Sequence, residues 1–440
     1  MKRDLFEKSK QIMIGLLALA VVLSCACGKK DDSSDDTDNT EKASVEDVDD
    51  SGSEEDPSQD VTDDKETDPE DVTESESDAT TEPEESSEDT SGSTKAAVNS
   101  SFDVDKAEAY MNSKNFDGVV LVADQDQVVW TYASGMADRE NNVMNTMNTV
   151  FEFGSITKQF TAVAVMQLVE AGKLSTDDTL DKYLPEYSHA KEITIHQLLN
   201  MTSGIPDYLY CGVLGVSLGN FEDMDLADVF DLEQTIRRVI STPIDKNKFV
   251  NDMSAYALDF NPGTQFAYSN TNYYFLGMVI EKLSGMPYDE YIRKNLLEPL
   301  GITELYPDTD HLTSFGRTDL TVMKFDFPSQ DPSISYAVGV MTGTAAGLLQ
   351  WETAVMDGAL LTKESWDKIF DGGAFGYGYG WYIGSDYVEH GGMTLGYNTS
   401  VRIDKNTRRV VIVLSNIQPL TSSKKRPMST DIADELWKDF

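Results

Sequence analysis

The sequence predicts an α/β protein of the α+β type, in which both ends of a globular segment build one antiparallel sheet and a helical region is inserted between them. Residues 118–122 and 128–132 are strand-like runs separated by a polar turn, which is typical of a β-hairpin. Two further strand-like runs, at 399–403 and 409–414, come only near the C-terminus. The long stretch between these two pairs has mainly helical patterns.

The other elements follow from local patterns. Residues 156–171 predict a helix that is apolar on most faces and is stopped by Gly172. A helix with so little polar surface is normally buried. The remaining predictions are helices at 101–112, from 195 onward, at 271–283 and at 431–440, and a strand at 378–383.

The charge of the chain is concentrated in one segment. The 440 residues carry a formal net charge of −42, and residues 31–100 alone hold 28 Asp or Glu and three Lys. Because phosphate binding needs clustered Lys and Arg, we expect no nucleic-acid partner. With three Cys and four scattered His, neither a disulfide scaffold nor a structural zinc site is expected. No metal or organic cofactor is implied.

The N-terminus has the pattern of an export signal. Basic residues precede an apolar stretch at 12–23 that is too short to span a bilayer comfortably. The stretch ends at Cys25 and Cys27, and small residues before a Cys resemble the lipobox of bacterial lipoproteins. The resemblance implies that residues 1–27 are a lipoprotein signal peptide, that Cys25 (preferred) or Cys27 is the lipid anchor, and that the protein is extracytoplasmic and attached to the cell membrane. An ordinary cleaved signal is the alternative.

Residues 28–98 are predicted to be a disordered acidic tether. Asp, Glu, Ser and Thr dominate this segment, and it contains no aromatic residue. Such a segment cannot bury enough apolar surface to offset its ordering entropy. As a flexible coil it would span roughly 45 Å and hold the domain at 99–440 away from the membrane. Calcium or cell-wall binding by the acidic residues is the alternative.

Ser155 and Lys158 form the first candidate for chemistry. Ser155 lies where the predicted buried helix begins, and Lys158 follows one turn later on the same face. A Ser hydroxyl is a weak nucleophile unless a base takes its proton, and burial or a helix N-terminus lowers the pKa of a Lys enough for it to be that base. The same helix end offers a backbone N–H to a developing oxyanion. Equal spacing recurs in polar stretches at 188–191, 365–368 and 422–425.

Two further motifs follow along the chain. Tyr268 and Asn270 form a Tyr-x-Asn motif, which in isolation predicts only a turn. His390, Gly391 and Gly392 form a His-Gly-Gly motif, in which the His alone would be structural. Glycines beside a strand allow a substrate to approach the backbone closely.

The order Ser-x-x-Lys, Tyr-x-Asn, His-Gly-Gly resembles that of the serine β-lactamase and penicillin-binding protein superfamily. The resemblance is greatest to the branch that holds class C β-lactamases, the Streptomyces-type D-alanyl-D-alanine carboxypeptidase and β-lactamase-like esterases. It extends from about residue 102 to 436 and includes the stretches 151–154 and 194–204. It implies a helical region packed on an α/β region with a five-stranded antiparallel sheet, and a serine hydrolase that works through an acyl-enzyme.

The resemblance also assigns a role to each motif residue. Ser155 would be the acylated nucleophile, Lys158 would activate it, and Tyr268 would relay a proton. Asn270 would hold Lys158 and the amide of the substrate. The residues that would line the substrate site are His390, Gly391, Gly392 and Met393, and the backbone N–H groups of Ser155 and Met393 would form the oxyanion hole.

Departures from the family pattern bear on the substrate. His390 stands where class C β-lactamases have a Lys that would recognise a carboxylate, and a neutral imidazole does so less well. Gly391 replaces a common Thr, and Met393 is bulkier than usual. We therefore predict a peptidase of D-amino-acid peptides, such as cell-wall stem peptides, or an esterase. A β-lactamase and a non-turnover penicillin-binding sensor are the alternatives.

A different class of hydrolase is the remaining alternative. Residues 215–219, which contain Ser217, match the Gly-x-Ser-x-Gly elbow of α/β-hydrolases. No alternating parallel β/α pattern surrounds this match, and no His-Gly-Gly-Gly motif precedes it. A loop is therefore expected here.

Overall fold

The centre of the computed structural model is a seven-stranded antiparallel sheet. The structure describes residues 92–95, 100–211, 237–319, 324–326, 330–419 and 423–440, which all belong to one compact unit. Its strands are β1 (Gly92–Lys95), β2 (Gly118–Asp124), β3 (Gln127–Ser134), β4 (Met136–Asp138), β5 (Val143–Met144), β6 (Phe151–Glu152), β7 (Leu305–Tyr306), β8 (Arg317–Asp319), β9 (Lys324–Asp326), β10 (Thr342–Gly343), β11 (Tyr382–Ile383), β12 (Val388–Thr394), β13 (Tyr397–Asp404), β14 (Arg409–Ser415) and β15 (Ile417–Pro419).

Both ends of the chain contribute to this sheet, as the sequence predicted. The strand order is β1-β3-β2-β14-β13-β12-β11, and Leu121 of β2 lies opposite Ile412 of β14. The expected number of five strands was wrong, because the short strands β1 and β11 extend the sheet at its two edges. The five strands between them form the antiparallel sheet that the family resemblance implied.

Strand β1 begins the sheet inside the segment that was predicted to be a tether. Thr94 pairs with Thr131 of β3, and the indole Nε1 of the buried Trp130 donates a 2.9 Å hydrogen bond to Ser93 Oγ. The boundary predicted at residue 98 is therefore too late. A buried indole N–H needs a partner, and β1 supplies it.

Helices cover both faces of the sheet. They are α1 (Val104–Asn112), α2 (Thr157–Glu170), α3 (Ile195–Leu199), α4 (Lys246–Met253), α5 (Asn270–Ser284), α6 (Tyr288–Ile292), α7 (Glu298–Leu300), α8 (Pro332–Gly339), α9 (Ala345–Met356), α10 (Lys363–Ile369) and α11 (Ser429–Trp437). A π-helical segment, Arg293–Leu297, joins α6 to α7. Among the described residues, no helix combines the length and the apolar character needed to cross a membrane.

Alternate residues of β2 face two different cores. Val119 and Leu121 belong to the larger core, which includes the apolar residues of α2, α5 and α9. Val120 and Val122 belong to a smaller core with residues of α1 and α11. Successive side chains of a strand point to opposite faces, so a strand covered on both faces must be apolar throughout. This explains the continuous apolar run at 118–122.

Helix α2 lies inside the larger core, as its apolar sequence predicted. Two of its polar side chains form hydrogen bonds with neighbouring helices: Gln159 Oε1 accepts a 3.0 Å bond from Trp351 Nε1, and Thr161 Oγ1 donates a 2.7 Å bond to the carbonyl oxygen of Ala337. These contacts fix both the position and the rotation of α2. The helix therefore presents its first turn to the rest of the fold in one defined orientation.

The buried carboxyl of Glu352 on α9 should make stability depend on pH. Glu352 is fully buried, and burial raises its pKa from 4.5 to about 8, although a neighbouring Gln159 opposes this. Between pH 4.5 and 8 the folded protein then holds a proton that the unfolded chain releases. Its free energy of unfolding should therefore fall as pH rises, by about 1.4 kcal/mol per unit from this group. Glu352→Gln should remove that fall, as measured by urea unfolding at pH 5 and pH 8.

The matched control is Glu364→Gln on α10, because the Glu364 side chain is 81% exposed. This control should keep the pH dependence of the unmodified protein. An equal pH dependence in Glu352→Gln and the unmodified protein would contradict the assignment.

Candidate active site

Ser155 lies in a short 3₁₀ turn, Gly154–Ile156, that leads directly into α2. Gly154 has a φ of +58°, and a Cβ atom at this position would lie 2.7 Å from the amide nitrogen of Met393. A side chain here would be both strained and in collision with the backbone of β12. The glycine therefore allows the Ser155 turn to pack directly against strand β12.

Gly392 permits the same close approach from the other side. A Cβ atom on Gly392 would lie 1.8 Å from the carbonyl oxygen of Phe153, just before the Ser155 turn. That oxygen also accepts a 2.7 Å hydrogen bond from Thr399 Oγ1 on the next strand, β13. The sheet is thus anchored to the turn, and no residue with a side chain fits at Gly392 without a shift of the backbone.

The side chain of Lys158 is fully buried in the first turn of α2. Its Nζ lies 3.0 Å from Ser155 Oγ, 2.9 Å from Asn270 Oδ1 and 3.1 Å from the carbonyl oxygen of Val338. The α2 helix supplies the Lys and the turn before it supplies the Ser, while α5 and α8 supply the other two acceptors. The tertiary fold, and not the local sequence, completes this arrangement.

These contacts orient the Lys158 amine toward Ser155. The oxygens of Asn270 and Val338 only accept hydrogen bonds, so each takes an N–H of Lys158. The remaining tetrahedral direction of Nζ faces the Ser155 hydroxyl. In the neutral amine, that direction holds the lone pair, which is positioned to take the hydroxyl proton.

The acceptor at Val338 depends on an unusual backbone conformation. Tyr336, two residues earlier in α8, has a φ of +34°, which a non-glycine residue rarely adopts. Beyond this bend, the carbonyl oxygen of Ala337 faces Thr161 and that of Val338 faces Lys158, so both are directed at α2. Strained backbone often occurs where structure serves a site. No sequence motif marks a backbone carbonyl, so this contact was not predicted.

Tyr268 reaches the Lys158 amine from the loop before α5. The centre of its ring lies 4.9 Å from Lys158 Nζ. The ring packs perpendicular to that of Tyr377, at a centroid distance of 6.2 Å, and at the same distance from the His390 imidazole. The second and third sequence motifs therefore meet beside the first.

His390 is buried and held in one tautomer. It is 1% exposed, its Nδ1 lies 2.6 Å from the carbonyl oxygen of Gly391, and its Nε2 lies 3.1 Å from the Tyr377 hydroxyl. Because a carbonyl only accepts, Nδ1 carries the proton and Nε2 accepts from Tyr377. Burial, and to a lesser degree the charge of Lys158, lowers the pKa of His390 to about 3. The imidazole is therefore neutral at physiological pH.

The structure thus brings together all three motifs at one place. Lys158 is in direct contact with both Ser155 and Asn270, the Tyr268 ring lies 4.9 Å from the amine, and His390 packs against Tyr268. Met393 follows along β12 beside the Ser155 turn. Gly391 is on the face of that strand opposite to His390 and Gly392, where a Cβ atom would lie 3.0 Å from Thr430 Cγ2 of α11.

In two of the competing Ser-x-x-Lys matches the Lys is exposed, whereas Lys158 is buried. Ser188 and Lys191 are both exposed, and Lys368 is exposed in α10.

Several predictions lie outside the described residues. These are the signal peptide at 1–27 with Cys25 and Cys27, most of the predicted tether, Ser422, and the alternative elbow at 215–219 with Ser217.

Two side chains in this region were missed by the sequence analysis. Tyr377 donates to His390, and Asp207 accepts hydrogen bonds from Asn270. Asp207 lies three residues after the stretch at 194–204 that contributed to the family resemblance. Only the three-dimensional fold brings it next to α5, because its separation of 63 residues from Asn270 matches no local pattern.

A buried Ser and Lys at the start of a central helix, next to an antiparallel sheet, define a serine hydrolase of the β-lactamase and penicillin-binding protein class. The β-lactamase family model matches residues 104–434, and the chain belongs to this family.

Relatives in the family carry several functional names. A putative penicillin-binding protein of Bacillus subtilis (strain 168) is 27% identical over 324 residues, which cover 71% of this chain and 74% of that protein. An esterase of Burkholderia gladioli is 33% identical over 194 residues, which cover 42% of this chain and 45% of the esterase.

Solved structures agree with this family assignment. An octameric penicillin-binding protein homologue from Pyrococcus abyssi superimposes with a TM-score of 0.61 at 28% identity, over 76% of each chain. A D-amino acid amidase from Ochrobactrum anthropi SV3 superimposes with a TM-score of 0.62 at 20% identity, over 76% of this chain and 97% of the amidase. At that identity the amidase shows a shared fold alone.

The environment of His390 leads to a prediction by NMR. The protein has four His. In ¹⁵N-histidine-labelled protein, the His390 ring signals should keep the neutral Nδ1–H pattern from pH 5 to pH 8, because burial disfavours the imidazolium. A His390→Gln variant, which lacks those signals, assigns them. Signals of His390 that titrate with a midpoint above pH 5 would show that the ring is accessible to protons and the site more open.

Proposed function

We propose that the protein is an extracytoplasmic serine hydrolase that works through an acyl-enzyme on Ser155. The observation that supports this most directly is the 3.0 Å contact between Lys158 Nζ and Ser155 Oγ at a buried helix start. Asn270 Oδ1 and the carbonyl oxygen of Val338 each accept a hydrogen bond from Lys158 Nζ, which leaves the third free position of the nitrogen directed at Ser155 Oγ. A base within hydrogen-bond reach is the first geometric requirement for activating a Ser nucleophile.

The proposed reaction has two stages. Ser155 Oγ attacks the carbonyl carbon of the substrate while its proton passes to the Lys158 amine, and the backbone N–H groups of Ser155 and Met393 stabilise the oxyanion. The bond to the leaving group then breaks, and Tyr268 relays a proton to that group. In the second stage a water molecule attacks the acyl ester, and Ser155 regains its proton as the acid is released.

The proposed substrates are small peptides that end in D-amino acids, such as cell-wall stem peptides, or esters. A D-alanyl-D-alanine carboxypeptidase acts on a substrate that ends in a carboxylate, and the neutral His390 provides no cation for that group. Esters lack this carboxylate, so the neutral imidazole favours an esterase within this pair. The esterase among the relatives is in keeping with that preference. A β-lactamase or a non-turnover sensor is a weaker fit, because β-lactams also carry a carboxylate.

The acylation step is tested by exposing the protein to a penicillin and, separately, to the ester p-nitrophenyl acetate. Ester hydrolysis should be abolished in Ser155→Ala, because Ser155 lies against a buried base, and unchanged in Ser217→Ala. The intact mass after penicillin treatment, with peptide mapping, identifies any adduct. A stable adduct on Ser155 would favour a penicillin-binding peptidase or sensor, and consumed drug without an adduct would favour a β-lactamase. Loss of activity in Ser217→Ala but not in Ser155→Ala would overturn the site.

The N-terminal segments complete the proposal. Residues 1–27 act as a lipoprotein signal peptide, Cys25 or Cys27 carries the lipid, and the acidic segment before β1 spaces the hydrolase domain from the membrane. The apolar stretch at 12–23 and the composition of 28–98 support this arrangement. Cell fractionation of Cys25→Ser and Cys27→Ser variants should find one of them released from the membrane, because a lipid anchor needs its thiol. Retention of both single variants and of the double variant would contradict lipid anchoring.

A further inference from the structure

Asp207 contacts Asn270 on the side that faces away from Lys158. Its Oδ2 accepts hydrogen bonds from the Asn270 side-chain Nδ2 at 2.7 Å and from the Asn270 backbone N–H at 3.0 Å. Its Oδ1 accepts a further bond from the Leu209 backbone N–H at 2.9 Å. The Asn270 amide therefore lies between a carboxylate and the Lys158 amine.

This position determines which end of the Asn270 amide faces Lys158. A carboxylate only accepts hydrogen bonds, so the NH₂ end of the amide must face Asp207. The oxygen end must then face Lys158, where it accepts the 2.9 Å bond from Nζ. Without the carboxylate, the amide could rotate and present its NH₂ group to the lysine. A neutral Lys158 would then lose one of the two acceptors that aim its lone pair at Ser155.

We propose that Asp207 is a positioning residue, which fixes the orientation of the Asn270 amide and, through it, the direction of the Lys158 amine. This inference rests on the proposed acyl-enzyme function. Asp207 acts on Ser155 only through Asn270 and Lys158. It is therefore expected to affect the rate of acylation and not the binding of a small substrate.

The segment that carries Asp207 is fixed to the first turn of α5. Ser203 Oγ donates a 2.6 Å bond to Asn272 Oδ1, and the backbone N–H of Tyr208 donates a 2.9 Å bond to Thr271 Oγ1. Ser269, the residue before α5, makes no side-chain capping bond, so the Asp207 carboxylate takes an N–H at this helix end instead. Asp207 is thus held at a defined distance from Asn270.

The surroundings of Asp207 act on its carboxyl in both directions, and burial outweighs the other effects. Burial raises the pKa of the Asp207 carboxyl, while the N–H donors of Asn270 and Leu209 and the charge of Lys158 act in the opposite direction. Asp259 lines the same cavity of about 370 Å³, together with Tyr268, Tyr210 and Cys211. Asp259 is exposed, whereas Asp207 is partly covered and bonded to Asn270. Asp259 is therefore a suitable control for the loss of one negative charge at this cavity.

The test is a double-mutant cycle on the full-length protein with p-nitrophenyl acetate. Asp207→Asn, which keeps the size of the side chain, should lower kcat about 10- to 100-fold and change KM less than about threefold, since misplacement of a catalytic group affects mainly the chemical step. In an Asn270→Ala background, Asp207→Asn should change kcat by less than about threefold, because residues that act through one another are not additive. Asp259→Asn should retain the kcat of the unmodified protein.

The kcat and stability of these variants decide between a positioning role and a purely structural role for Asp207. Unchanged kcat in Asp207→Asn, or losses that multiply in the double variant, would overturn the role of Asp207. A lowered melting temperature with unchanged kcat would mean that Asp207 serves only the stability of α5. If Asp207→Asn does not fold, Asp207→Glu in the same cycle replaces it, and the same two outcomes apply. If the unmodified protein neither hydrolyses the ester nor forms an adduct with a fluorophosphonate at Ser155, the proposed function fails, and with it the inference.

Discussion

The buried amine of Lys158 is the constraint on which the rest of the site depends. An amine without water must find its hydrogen-bond partners within the protein, since an unsatisfied buried polar group is costly. Here the partners come from three different helices, through Ser155, Asn270 and Val338. Packing of α5 and α8 against α2 is therefore a requirement of the chemistry as well as of the core. The same packing gives the amine a single direction in which it can act on Ser155.

The sheet serves this arrangement by bringing β12 to the Ser155 turn. Two glycines, Gly154 and Gly392, allow backbone to meet backbone at this point. The backbone N–H of Met393 is thereby placed beside the Ser155 turn. A site of this kind needs little from side chains on β12. That fits the presence of Gly391, which has no side chain, and of a buried, neutral His390 on this strand.

Much of the fold was predictable because its signals are local. The apolar run at 118–122 reflects a strand that is buried on both faces, and the apolar sequence at 156–171 reflects a helix that is buried on all sides. Burial of this kind can be predicted from a local run of apolar residues. The motif residues Ser155, Lys158, Tyr268, Asn270 and His390 were found through their order along the chain. Strand β1 was not predicted, because it is only four residues long and owes its conformation to the strand it pairs with. The strand predicted at 378–383 is present only as its last two residues, which form β11. Asp207 and the carbonyl oxygen of Val338 were missed for a related reason, since their importance depends on contacts across 63 and 180 residues of chain.

The pairing of β2 with β14 has a consequence for the order of folding. Gly118 lies opposite Ser415, so the N-terminal hairpin has no partner on one side until nearly the whole chain has been made. Contacts between residues so distant in sequence form slowly, because loop closure must precede any gain from pairing. During synthesis the β2 edge of the β2–β3 hairpin is therefore unpaired and apolar until β14 is available. Such an edge is prone to association with other chains. The strongly charged segment that precedes β1 is attached next to this hairpin, and like-charge repulsion between such segments would keep nascent molecules apart while the sheet is still incomplete.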